Sequence, residues 1–169
     1  RNDGDGEFTD VSEESGIQIR NVSTNVPQSK SLGLALCDFD RNGFMDVVVA
    51  NDTVQNCLLR NGGDGKFTEM GAICGIAFDS TGNARGAMGI DVTSFREQSS
   101  MAVAIGNFSN EMTALYVTKA GRMQFYDEAV STGLGPSTRL LLTFGLAYVD
   151  YDLDGRLDLF CANGHLEED

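Results

Sequence analysis

The sequence predicts an all-β protein assembled from repeated four-stranded antiparallel units. Three observations carry that prediction. First, DFDRNGFMDVVVAN from Asp38 returns as DYDLDGRLDLFCAN from Asp150, and midway between them, from Ser94, the chain reads SFREQSSMAVAIGN. Second, an independent motif keeps the same phase: RNDGDGEFTDVSEESGI opens at Arg1, RNGGDGKFTEMGAICGI at Arg60, and a worn copy, TKAGRMQFYDEAVSTGL, at Thr118. Third, the segments between turns are short, and they alternate (LGLAL, KFTEM) or are β-branched throughout (VVVA), as half-buried and buried strands should be.

Each element follows from this phase. The first full unit places strands at about 32–37, 46–50, 56–60 and 66–70. NGGDG joins the last two as a hairpin turn, because glycine permits the positive φ such turns require. In the middle copy Phe95 matches Phe39 and Tyr151, Met101 matches Met45 and Leu157, and Asn107 matches Asn51 and Asn163. Gly33, Gly89 and Gly145 recur at the start of the first strand and suit an inner strand where units crowd together. Phe8, Phe67 and Phe125 correspond, as do Gly16, Gly75 and Gly133. The apolar run 140–149, broken by Thr143 and Gly145, reads as a strand; it is too short for a membrane helix, which needs roughly 18–20 residues.

Four-stranded units repeating every ~56 residues point to the blades of a β-propeller. The chain reads as one propeller segment over 1–169, with a partial unit at about 1–20, full units at about 31–77 and 86–134, and a partial unit at about 142–169. It is expected to begin in a fourth strand, near 7–11, and to stop just after a second. A blade cannot bury both faces alone, so the sequence implies further blades, from a longer parent chain or from another protomer.

Composition narrows the function. Twelve basic residues against 25 acidic give a net charge of −13, so no basic stripe exists to displace the counterions of nucleic acid. The cysteines at 37, 57, 74 and 161 lack CxxC or CxxCH spacing, which leaves zinc, haem and thioredoxin-type readings without support. Buried thiols and one or two disulfides both remain open. Sequons occur at Asn21, Asn51 and Asn107. The one histidine, His165, reads as a polar loop residue, with no nucleophile or base paired to it in the sequence. No catalytic residue is assigned.

The chemistry lies in the acidic loops. Calcium wants six to eight oxygens at flexible angles. Side-chain oxygens at loop positions 1, 3, 5 and 9, glycine at 6 and a backbone carbonyl at 7 supply them. The later loop offers Asp150, Asp152, Asp154 and Asp158, with Gly155 and the Arg156 carbonyl. The earlier one offers Asp38, Asp40, Asn42 and Asp46, with Gly43 and the Phe44 carbonyl. This is not an EF-hand, whose closing carboxylate comes at position 12 between helices. Magnesium prefers a rigid octahedron with retained waters, and soft metals find no thiolate or imidazole here. Turn propensity alone accounts for one or two aspartates, not for several in phase twice. With four carboxylates against three, the later loop should bind calcium more tightly. In the middle copy, 94–102, Ser94, Arg96, Gln98, Ser99 and Ala102 replace the ligands. That copy should keep its structure and hold no ion, its Arg96 a product of drift rather than a substitute for the metal.

GLALCDFDRNGFMDVVVAND, CLLRNGGDGKFTEM and AYVDYDLDGRLDLFCANGH resemble FG-GAP/VCBS repeats, the units of integrin-α-like seven-bladed β-propellers. The NGH at 163–165 resembles members that pair the propeller with an ASPIC/UnbV region. The resemblance implies calcium at the two DxDxDG-type loops and a domain that lives where calcium is plentiful, in an extracytoplasmic place: secreted, periplasmic or at the cell surface. The function expected is a structural, adhesion or protein-interaction scaffold with a protein or glycan partner, presented by loops such as 51–56 and 107–113. The alternatives are a propeller domain or subunit of a polysaccharide-acting enzyme, and a carbohydrate-binding lectin.

Overall fold

In a computed structural model the described residues are 1–119 and 121–166, without the side chains of 97–99. They form twelve strands, β1 (Asn2–Gly4), β2 (Glu7–Phe8), β3 (Ser31–Cys37), β4 (Asp46–Asn51), β5 (Cys57–Asn61), β6 (Phe67–Glu69), β7 (Ala87–Phe95), β8 (Glu97–Asn107), β9 (Ala114–Lys119), β10 (Tyr126–Asp127), β11 (Leu142–Val149) and β12 (Asp158–Gly164). Single helical turns, α1 (Gly71–Cys74) and α2 (Leu134–Thr138), follow the fourth strands β6 and β10. Two four-stranded antiparallel meanders result, β3-β4-β5-β6 and β7-β8-β9-β10, flanked by the hairpins β1-β2 and β11-β12. These are the blades and part-blades that the repeat phase predicts.

The start of the chain differs from expectation. It is a hairpin, with Asn2 opposite Phe8 as Asn61 is opposite Phe67, so it corresponds to the outer pair of strands in a blade rather than to a fourth strand alone. The third strand was unreadable there because only two residues precede the glycine-rich turn.

The blades stack through their first strands, β7 lying between β3 and β11. Phe39, Val48, Leu58 and Ile76 of the first blade pack on Val103, Ile105, Tyr116 and Phe125 of the second. Phe39 and Phe125 meet edge to face with centroids 5.2 Å apart, a favourable aromatic geometry. A second core joins Ala102, Ala104, Leu115 and Val117 to Leu146, Tyr148 and Leu159 of β11 and β12.

Both recurring glycine series work at these seams. A Cβ on Gly33 would lie 2.4 Å from the Met88 carbonyl oxygen, and one on Gly89 2.6 Å from the Cα of Gly145, so only glycine lets the inner strands approach. Gly16 and Gly75 hold φ of 77° and 83°, with the carbonyls of Phe67 and Phe125 2.8 Å from where a Cβ would stand. At each of these turns the residue before the glycine accepts a bond from the next blade: Phe67 N–H to Ser15 C=O (2.8 Å) and Phe125 N–H to Cys74 C=O (2.7 Å).

The strand-ending asparagines close the opposite end. Asn51 is fully buried; its amide donates to Gln55 C=O (2.8 Å) and its Oδ1 accepts from Lys30 N–H (3.1 Å). Asn107 donates to Met112 C=O (2.6 Å). Two of the three sequons thus fall on buried structural side chains. The four cysteines are free thiols, Cys57 and Cys74 buried.

Candidate metal centre

The loop between β3 and β4 turns at Arg41 (φ 59°) and Gly43 (φ 90°). That path points successive N–H groups inward. Asp38 accepts from Asn42 N–H (3.0 Å) and Gly43 N–H (2.8 Å), and Asp40 accepts from Asn42 N–H (3.2 Å). Asp46, at the first position of β4, has no exposure to solvent. Its oxygens accept from Phe39 N–H (3.0 Å) and Asn61 N–H (2.8 Å). Burial pushes its carboxyl upward; the two N–H donors oppose the rise, and the charges of Asp40 and Asp38 add to it. A buried carboxylate beside two others is what a cation would relieve.

The loop between β11 and β12 follows the same course. Leu153 and Gly155 take the positive φ values, 62° and 84°. Asp150 accepts from Asp154 N–H (3.0 Å) and Gly155 N–H (2.9 Å), and Asp158 from Tyr151 N–H (3.1 Å). Asp38, Asp40 and Asp46 bring carboxylate oxygens within 4.8 Å of one another, as do Asp150, Asp152 and Asp158. Hard oxygens converging in this way suit a hard divalent cation.

The position-5 residues behave differently. Asn42 donates its amide to Asn61 C=O (2.9 Å) and accepts from Phe44 N–H (2.8 Å). Asp154 accepts the N–H (2.8 Å) and Nε–H (2.9 Å) of Arg156, the residue expected to lend its carbonyl. The Phe44 ring lies over the β5-β6 turn, where a Cβ on Gly63 would be 2.3 Å from it.

Two residues escaped the sequence reading. Arg60 Nε–H donates to Asp40 (2.6 Å), and Asn61 binds both Asp46 and, through its side chain, Met45 C=O (3.1 Å). The end of β5 is therefore the second wall of the first loop. A signal was present: the dipeptide RN precedes the glycine-rich turn at both Arg1 and Arg60. The later loop has no such wall among the described residues, and Asp152 and Asp158 are more exposed than Asp40 and Asp46.

The middle copy departs from expectation. Its strands are kept but its loop is not: β7 and β8 run on until Phe95 pairs with Glu97 across a tight turn at Arg96 (φ 54°). Arg96 binds Glu128 (2.8 Å) and lies 4.7 Å from the Phe95 ring centroid, so it has found a carboxylate partner rather than merely drifted. Without the aspartates nothing holds the backbone in the wide turn, and the ladder closes. The side chains of Gln98 and Ser99 lie outside the described residues.

Residues 38–94 match the family model of the FG-GAP-like repeat. The match covers about a third of the chain. It spans the first acidic loop through to the first strand of the next blade, so it contains one complete loop-to-loop period. No curated protein matches the chain. A match to the FG-GAP-like repeat agrees with the four-stranded antiparallel blades of a partial β-propeller, and no helix among the described residues is long and apolar enough to cross a membrane.

Proposed function

We propose that the protein is a calcium-stiffened, extracytoplasmic propeller segment of the integrin-α-like, ASPIC/UnbV-type group, acting as a scaffold for a protein or glycan partner. The observation that carries the calcium reading is the convergence of Asp38, Asp40 and Asp46, repeated at Asp150, Asp152 and Asp158. Asn42, Asp154 and the carbonyls of Phe44 and Arg156 complete the two shells, and the middle hairpin holds no ion. Calcium neutralises part of the like charge in each loop and fixes the β3-β4 and β11-β12 connections. The Asn163-Gly164-His165 sequence at the end of β12 supports the ASPIC/UnbV assignment. Affinities of the kind such loops give are useful where calcium is abundant, which supports the extracytoplasmic placement.

The test is calorimetry with calcium on chelator-stripped protein. Two binding events are expected, one lost in Asp40→Ala and the other in Asp152→Ala. A protein that takes up no calcium, or that takes up magnesium equally well, refutes the reading.

A further inference from the structure

The outer part of the second blade carries a cavity of about 430 Å³. Its lining includes Arg96, Lys119 and Arg122, with Gln124, Tyr126 and Glu128. Three of the chain's twelve basic residues thus meet at one concavity of a protein whose net charge is −13.

Its place in the repeat explains how it arose. In the first blade the corresponding region is covered by the acidic loop, which ties Asp40 to Arg60 and Asn42 to Asn61. In the second blade Arg96 stands in phase with Asp40. Val117 stands across from Tyr126 as Arg60 stands across from Thr68. Flattening the loop into a hairpin removes the cover, and the exposed hollow has the opposite charge.

Arg96 is committed to Glu128 (2.8 Å). Lys119 and Arg122 are exposed and form no ion pair among the described residues. Their backbone is fixed: Arg122 N–H donates to Lys119 C=O (2.9 Å) and Thr118 Oγ1–H to Arg122 C=O (2.7 Å). Two like charges lining one hollow suit an anion, and a guanidinium can take a carboxylate through two parallel bonds. Tyr126 is 66% exposed on the neighbouring strand β10 and offers a flat apolar face beside the cations. An aromatic face lining the same hollow as a charged fork matches a sugar ring that bears a carboxylate.

We propose that this cavity binds the uronate residues of an acidic polysaccharide, the carboxylate on Lys119 and Arg122 and the ring on Tyr126. This rests on the reading of the chain as an interaction module and deepens its partner half; it does not depend on calcium.

The experiment is calorimetric titration, at fixed calcium and low salt, with a tetrasaccharide alternating glucuronate and N-acetylglucosamine. Its carboxyl-reduced neutral counterpart, inorganic sulfate and tetraglutamate are the comparison probes. The charged sugar is expected to bind and the neutral one not. Lys119→Ala with Arg122→Ala should weaken binding by about tenfold or more, as loss of charge-assisted bonds does. Tyr126→Ala should weaken it several-fold while leaving the melting temperature unchanged. Absence of binding by the charged sugar, indifference to the double substitution, or equal affinity for sulfate or tetraglutamate overturns the proposal. Repeating the titration in chelator separates the two readings: sugar binding that survives there while calcium uptake proves absent sinks only the calcium assignment.

Discussion

Replacing Gly89 with alanine tests the stacking of the blades at its tightest point. The added Cβ would sit 2.6 Å from the Cα of Gly145 and 2.8 Å from the backbone nitrogen of Leu146. Both obstacles are main chain of β11, so relief requires separating two sheets rather than turning a side chain. Overpacking of this kind costs about 3 kcal/mol at the upper end of its usual range. Alanine returns about 0.4–1 kcal/mol by restricting the unfolded chain, leaving a net loss of about 2 kcal/mol. For a chain of this size that is a fall of roughly 4–8 °C in melting temperature. The control lies in the same series. A Cβ on Gly145 would meet only Ala162 Cβ, at 3.8 Å, so Gly145→Ala should be neutral or slightly stabilising. Thermal unfolding followed by circular dichroism reads both. Equal effects at the two positions would refute the packing of β7 against β11.

Further expectations concern charge and the core. Chelation should lower the melting temperature of the native protein, since calcium at 100 times its dissociation constant adds about 2.7 kcal/mol per site; an unchanged melt in excess chelator would remove the structural role. Arg156→Ala frees Asp154 from an exposed pair (2.9 Å) whose own worth is about 0–1 kcal/mol. Calorimetry should therefore show tighter calcium in the later loop and no change in the earlier one. Asp79 is governed first by burial, which raises its pKa, but hydrogen bonds from Asn83, Thr81 and Arg85 outweigh this and bring it down to about 2. Its folded value lies below its unfolded one, so its stabilisation is complete above about pH 4 and disappears as pH falls through 2. Asp79→Asn should flatten that part of the acid-denaturation curve. Phe39→Ala removes a fully buried ring that meets Phe125 edge to face and should cost about 3–5 kcal/mol in urea unfolding.

Much of this architecture was legible because the repeat is written twice, in acidic loops and in Phe–Gly turns, and both encode backbone conformations that few residues permit. The strands of the first blade fall within a residue or so of their expected bounds, since Val48, Leu58 and Leu59 are buried and the residues around them alternate or are apolar. The helical turns at Gly71 and Leu134 left no such trace: they are too short for periodicity and are held by bonds such as Gly75 N–H to Gly71 C=O. The role of Arg60 and Asn61 was hidden because their partners, Asp40 in the β3-β4 loop and Asp46 at the start of β4, are distant in sequence and only the register of β4 with β5 brings them near. In the middle hairpin the loss of aspartates could be read, but not that the freed backbone would close into a longer ladder. That outcome depends on what Arg96 finds instead of a metal, and Glu128 lies more than thirty residues away in sequence.

The bonds from Phe67 to Ser15 and from Phe125 to Cys74 carry a timing that a static view conceals. Each turn ending in a glycine waits for an amide about fifty residues downstream, in the outer hairpin of the blade that follows. At synthesis rates of about 5–20 residues per second, that is a delay of roughly 3–10 s. Throughout it the carbonyls of Ser15 and Cys74 must be served by water. A newly made blade therefore leaves its edge unsealed for seconds, and the sealing runs in one direction, from the amino end of the chain toward the carboxyl end.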